Sequence, residues 1–210
     1  GNYAHTLILE PHMVDDEYVF FDGNRKAGKA WKAFEEEHKD CGKIILSAAQ
    51  KLKVENWVES YKKRPEAIDL VDGASNEFSL FSDMAGVPLK VRADIINIDK
   101  GFIADVKTTA SDPDVDTFRF TVEQYGYDLS AALYVDLFSR RYDKPFDFYF
   151  IVLGKRTQTC EVYKASDLTL GKGRKKMLTA LKLYKTCMKN GKWDNEKEIK
   201  PITDYEILEV

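Results

Sequence analysis

The chain has 210 residues, 44% of them hydrophobic and 32% charged, with a net charge of −3 at neutral pH. That length and balance suit one domain with a proper core, or two small ones, and exclude a mostly disordered chain. The slight acidity argues against a protein that coats nucleic acid through bulk charge and leaves only a local basic face for such binding.

Residues 3–9 carry helical apolar spacing closed by Pro11. A short helix is predicted over residues 27–40, with Ala27, Ala30, Trp31 and Phe34 on one face. A longer one is predicted over residues 44–64, aligning Ile45, Ala48, Ala49 and Leu52. Cys41-Gly42 and Pro65 break these two, and residues 65–73 form a third helix with Pro in its first turn and Gly at its end. The pattern then changes to strands over residues 76–83, 88–98 and 101–109, separated by turns at Met84-Ala85-Gly86 and Asp99-Lys100-Gly101. One long helix is expected from about residue 115 to 140, carrying Val122, Tyr125, Leu129, Ala132 and Leu133. Two more strands, residues 147–155 and 158–165, precede a basic helix over about residues 166–190. That helix is expected to turn Met177, Leu178, Leu181, Leu183, Tyr184 and Met188 largely inward. The order of elements predicts an α/β protein with a mixed central sheet flanked by helices.

The longest apolar run, residues 148–153, is far too short to cross a bilayer, and no signal-peptide pattern opens the chain. A cytoplasmic protein without a membrane partner is expected. Cys41, Cys160 and Cys187 are scattered and odd in number, which supplies neither a disulfide framework nor a Cys-x-x-Cys metal site.

Asp105 and Lys107 stand two residues apart in a strand otherwise made of Phe102, Ile103, Ala104 and Val106. Side chains repeat every two residues along a strand, so the acid and the lysine share a face. A two-residue turn at Asp99-Lys100 pairs residues that sum to 199 and sets Asp94 opposite Asp105. Two facing carboxylates in an apolar setting repel, and one must take up a proton or both must share a cation. Carboxylate oxygens suit a hard divalent ion, Mg2+ or Mn2+, which also binds phosphates. Lys107 would then help activate water and balance charge at a phosphorus centre. The plain alternative is a structural ion pair on a solvated sheet face, which the apolar flanks disfavour because unpaired buried charge is costly.

The stretch R-A-D-I-I-N-I-D-K-G-F-I-A-D-V-K-T-T resembles the core of the PD-(D/E)xK nucleases, with Ala93-Asp94 in the PD place and Asp105-x-Lys107 as the second half. More closely, the chain is similar to nuclease domains of the exonuclease VIII type. G-N-Y-A-H-T-L-I-L-E-P matches that family's G-x-x-x-H-x-L-x-L-E-P helix with His5 as the histidine. R-P-E-A-I-D-L-V-D-G-A-S-N-E-F-S-L-F resembles its segment ending in an acid, here Glu77. Y-G-Y-D-L-S-A-A-L-Y resembles its G-Y-x-x-Q-A-A-x-Y helix, and W-D-N-E-K-E-I-K-P-I its terminal tryptophan segment.

The resemblance implies that Asp94, Asp105, the Val106 carbonyl and His5 bind a catalytic Mg2+ or Mn2+, and that Lys107 positions the attacking water. Glu77 would bind a second metal or orient water. Tyr127 and Tyr134 would line a DNA-facing helix, or else belong to the core. Thr108 and Thr109 could bond a phosphate oxygen or simply suit a strand. Lys172, Arg174 and Lys175 open the best local phosphate-binding surface, or else a solvated helix face. One departure is clear: Ser130 stands where the family usually has Gln. Gln124, six residues earlier, cannot replace it on the same helical face, because six residues turn the helix about 600°.

The implied activity is hydrolysis of linear double-stranded DNA from 5′ ends, leaving a 3′ single strand for an annealing protein, in phage or prophage recombination. A ring-shaped homo-oligomer is implied as well. Residues 1–210 are expected to form a single nuclease domain, lacking an N-terminal portion of a longer protein. One rival is a repair or CRISPR-associated nuclease of the same superfamily, which often needs four cysteines for an iron–sulfur cluster. Another is a non-catalytic DNA-binding domain, which the intact Asp94, Asp105 and Lys107 argue against.

Overall fold

A computed structural model describes residues 1–193. The chain opens with α1 (Asn2–Leu9), a 3-10 turn at Pro11–Met13, α2 (Val14–Glu17), β1 (Tyr18–Phe21), α3 (Gly28–His38), β2 (Ile44–Ser47), α4 (Ala48–Lys62) and α5 (Pro65–Val71). The meander β3 (Ser75–Met84), β4 (Val87–Asn97) and β5 (Phe102–Thr109) follows. Then come α6 (Val115–Tyr125), α7 (Tyr127–Tyr142), β6 (Asp147–Gly154), β7 (Cys160–Lys164) and α8 (Asp167–Asn190). β3 to β7 form one mixed five-stranded sheet in chain order, and β1 pairs with β2 in a small parallel sheet. This is the mixed α/β sheet expected.

β5 occupies the centre, antiparallel to β4 and parallel to β6. The parallel step needs a crossover, which α6 and α7 provide. Each sheet face has its own core. Phe118, Val122, Val135 and Phe138 of α6 and α7 pack on Ile96, Ile103, Phe148 and Phe150. On the opposite face Ala4, Ile8, Trp57, Val58 and Ala67 of α1, α4 and α5 pack on Ile95, Val106, Ile151 and Leu153. Covering both faces explains why β5 and β6 read as nearly continuous apolar runs.

The observed elements correct the expectations in three places. Residues 44–47 are a strand, and the helix begins only at Ala48, where Ser47 accepts from the Gln50 backbone and the Gln50 side chain accepts from the Ser47 backbone. This reciprocal cap satisfies two orphan donors and fixes the boundary. Trp57, Val58 and Tyr61 then form the buried face, and Leu52 is exposed. The long helix expected over 115–140 is two, broken at Gly126, whose φ of 67° is left-handed backbone that glycine adopts without strain. Along α8 only Leu170, Gly173, Met177 and Leu181 are buried, while Leu178, Leu183, Tyr184 and Met188 are exposed. The terminal tryptophan segment falls, from residue 194 on, outside the described residues.

α8 is locked onto the crossover by ion pairs: Lys172 with Glu123, Arg174 with Asp136, and Lys176 with the buried Asp128. The approach is close, since a Cβ on Gly173 would lie 2.0 Å from the Asp128 carbonyl oxygen. No helix among the described residues is long and apolar enough to cross a membrane.

Candidate active site

The β4–β5 hairpin closes through residues 98–101, with the Gly101 amide donating to the Asn97 carbonyl. The turn is longer than two residues, yet the register is the expected one, pairing Asn97 with Phe102, Ile96 with Ile103 and Ile95 with Ala104. There the backbone ladder stops. In place of the next rung the Val106 N–H donates to the Asp94 carboxylate, at 2.8 Å from Oδ2. A carboxylate wedged between two strands satisfies the backbone donor and splays the strands, opening space at the sheet centre. Asp105 and Lys107 continue on the face that carries Ile103, toward α7.

Other elements complete the cluster. α1 brings the His5 Nδ1 to 3.5 Å from Asp94 Oδ2. β3 brings Glu77 in a left-handed conformation, φ 51°, between Asn76 and Phe78, which keep regular pairing with β4. A non-glycine residue held there costs about 1–2 kcal/mol, and such outliers concentrate where side-chain direction matters. Arg92 of β4 pairs with Glu77 and reaches Glu10 at 4.0 Å. One ligand atom each from His5, Glu77 and Asp94 falls within 4.8 Å of the others.

The electrostatics follow from burial. Burial first, then the Asp105 charge, pushes the Asp94 carboxyl up to about 7. Burial lowers the His5 pKa, so its imidazole is neutral at pH 7 with a free lone pair. Burial also raises Glu77, against the pull of Arg92. Lys107 is the opposite case: burial works to lower its pKa, but Asp105 outweighs it and the ammonium is held above its ordinary value. That ammonium pairs with Asp105 and lies 4.8 Å from the Tyr127 ring centroid, a cation over an aromatic face.

These residues fit a divalent cation. Asp105 Oδ2 is buried with the Lys107 ammonium as its partner, and the Val106 backbone lies within hydrogen-bonding reach of the His5 ring. Carboxylates, a carbonyl and a neutral imidazole form a donor set for Mg2+ or Mn2+. A cation there would remove the repulsion that raises Asp94.

Beyond Lys107 the strand runs into a cleft lined by Thr108, Thr109 and Tyr127. Gln124 lines the same cleft. The expectation that Gln124 cannot replace a glutamine at position 130 is corrected, because the break at Gly126 puts the two positions on separate helices, α6 and α7. Ser130 itself is exposed. Tyr134 donates its hydroxyl to the Arg92 carbonyl, bracing β4 from α7 while its ring packs against Phe148. Lys172 and Arg174 hold acid partners on α6 and α7, and Lys175 has no ion pair among the described residues. Arg92 and Glu10, beside Glu77, were missed as site residues although Glu10 stands in the G-x-x-x-H-x-L-x-L-E-P match and Arg92 opens the R-A-D stretch. Lys155, just past β6, carries no distinctive spacing; the parallel β5–β6 pairing brings it beside Thr109.

A solved structure described as a "Putative exonuclease" from Eubacterium rectale superposes with a TM-score of 0.60 at 17% identity, covering 79% of this chain. This chain spans 64% of the length of that one. A second solved structure, of the protein SSO0001, has a TM-score of 0.33 at 14% identity, covering 85% of both chains. No curated protein sequence matches. The family model described as "PDDEXK-like domain of unknown function (DUF3799)" matches residues 1–199. With the fold of the PD-(D/E)xK nucleases and this match over nearly its full length, the chain belongs to that PDDEXK-like family.

Proposed function

We propose that the protein is a metal-dependent deoxyribonuclease that hydrolyses phosphodiester bonds of linear double-stranded DNA. The observation that carries this reading is the opening between β4 and β5, where Asp94, Asp105 and Lys107 meet His5 and Glu77. Asp94, Asp105, His5 and the Val106 carbonyl hold Mg2+ or Mn2+, with Glu77 beside them. When bound, the ion supplies a Lewis acid that polarises the phosphoryl group and makes water more acidic.

The chain's own residues do the rest. His5 stays neutral because it is buried, and so keeps a lone pair for coordination. Lys107 stays protonated because Asp105 faces it, so it acts as a donor and a positive charge rather than as a base. From that position it orients the attacking water and stabilises charge that builds on the phosphoryl oxygens. The Lys107 ammonium lies over the Tyr127 ring, a contact that favours the cation in this position.

The finer reading is a 5′-to-3′ exonuclease of phage or prophage recombination, working as a homo-oligomeric ring with a single-strand annealing protein as partner. It rests on the likeness of His5, Glu77, Asp94, Asp105 and Lys107 to exonuclease VIII-type motifs. The test is a duplex labelled at either 5′ end, incubated with and without Mg2+. Mononucleotides released only from linear DNA, only with metal, and at least a hundredfold more slowly by Lys107→Ala are expected. Undiminished release by that variant would sink the mechanism, and digestion of closed circles would replace the exonuclease with an endonuclease.

A further inference from the structure

The two clefts that flank the cluster differ in charge. On the His5 side four carboxylates, Glu10, Asp16, Glu17 and Glu77, outnumber Arg92 and the Gly1 amino terminus in the lining. On the Lys107 side a cleft of about 320 Å³ has no carboxylate in its lining, and its charged members are Lys107 and Lys155. In a chain of net charge −3, a cleft of that composition admits an anion and the other repels it.

The wall of the Lys107-side cleft comes from one face of α6. Thr117, Phe120, Thr121 and Gln124 follow helical spacing there, and Tyr125 closes the rim beside Tyr127. Phe120 and Tyr125 are 67% and 65% exposed and contribute little to either core. Tyr125 and Tyr127 are stacked, with centroids 5.7 Å apart and planes 23° from parallel. Two large aromatic faces left in water, next to lysines and hydroxyls, form the combination that binds unpaired nucleotides: bases stack on rings while cations and hydroxyls take the phosphates. Gln124 adds an amide able to bond a base edge. The volume lies at the small end of ligand pockets, room for a single nucleotide and not for a stacked base pair.

We propose that this cleft is a nucleotide subsite, in which Tyr125 and Phe120 stack an unpaired terminal base while Lys155, Thr108 and Thr109 hold its phosphate beside Lys107. The proposal rests on the nuclease reading and refines it: the strand enters the site as a frayed, single-stranded end. Duplex ends that breathe are then better substrates than ends held shut.

Binding is measured with a 5′-phosphorylated oligodeoxynucleotide carrying 2-aminopurine at its terminus, in EDTA so that nothing is cut. The same strand with an abasic terminus is the comparison. The parent protein is expected to quench the terminal fluorophore and to bind the abasic strand on the order of tenfold more weakly. Tyr125→Ala with Phe120→Ala should lose the quenching and bind both strands alike, whereas Tyr125→Phe should keep both effects. In a parallel digestion with Mg2+, the double variant should raise KM for linear duplex while leaving Mn2+ binding intact. A double variant that quenches and binds as the parent does would overturn the subsite. If the parent cuts DNA without any quenching, the subsite falls and the nuclease reading stands. If it quenches and discriminates but cuts nothing with any metal, the nuclease reading falls and the subsite stands.

Discussion

Replacing Asp94 by asparagine should stabilise the metal-free protein. Asp94 is wedged between β4 and β5, 15% exposed, with the Asp105 carboxylate facing it and its pKa pushed up from 3.8 to about 7. The folded state therefore favours the protonated form. That preference adds stability below the unfolded value of 3.8, and it is lost as the pH rises through about 7. Above that pH the ionised group costs about 4 kcal/mol relative to a neutral isostere, at about 1.4 kcal/mol per pKa unit. Asparagine keeps an oxygen to accept from the Val106 N–H, though its amide hydrogens lack an assured partner, so a net gain of about 2–3 kcal/mol is expected. For a chain of this length that is a Tm increase of roughly 5–10 °C. Thermal unfolding in EDTA should show that increase at pH 8 and less than half of it at pH 5. Mn2+ should raise the Tm of the parent and not of Asp94→Asn. An asparagine variant less stable than the parent at pH 8, or equally shifted at both pH values, would refute the reasoning.

Two further outcomes concern the scaffold. Gly173→Ala should lower Tm by about 5 °C, because its Cβ would meet the Asp128 carbonyl at 2.0 Å. The strain of forcing α8 away from α7, about 3 kcal/mol, exceeds the roughly 1 kcal/mol that alanine gains in a helix. The buried Cys160 thiol is pushed from 9.0 up to about 12 by burial. Its contribution is therefore complete below pH 9 and is lost as the pH rises through about 12. A chromogenic thiol reagent at pH 8 should modify the exposed Cys41 within the mixing time and reach Cys160 only at the rate of unfolding.

The hairpin register was legible because Asp99-Lys100-Gly101 punctuates two apolar runs, and a turn centred between Asp99 and Lys100 gives the observed pairing whether it has two residues or four. Asp94, Asp105 and Lys107 were placed by that register alone. His5 and Glu77 needed likeness to a family, since nothing local to α1 or β3 says that they meet. The strand at residues 44–47 was hidden because three apolar residues and a serine run straight into a helical pattern. Its signal was Ser47-Ala-Ala-Gln50, the sequence of a capping box. Gly126 was read through because apolar spacing continues on both sides of it, although glycine inside a periodic run is the residue most able to end a helix. Gln124 and Tyr125 close α6 just before that break, and both line the cleft beside Lys107.

Three paired residues and the bond from the Val106 N–H to the Asp94 carboxylate join β4 to β5, so the sheet carries a seam down its middle. On one side lies the β3–β4 arm, on the other the parallel pair β5–β6 with β7. The proposed ligands His5, Glu77, Asp94 and Asp105 come from both sides of that seam. An ion seated among them acts as a rivet, and the domain should open along this line first when the ion is withdrawn. Amide exchange at Val106 and along α1 should therefore slow when Mn2+ is added, while exchange in β6, a strand deep in one half, should stay as it was.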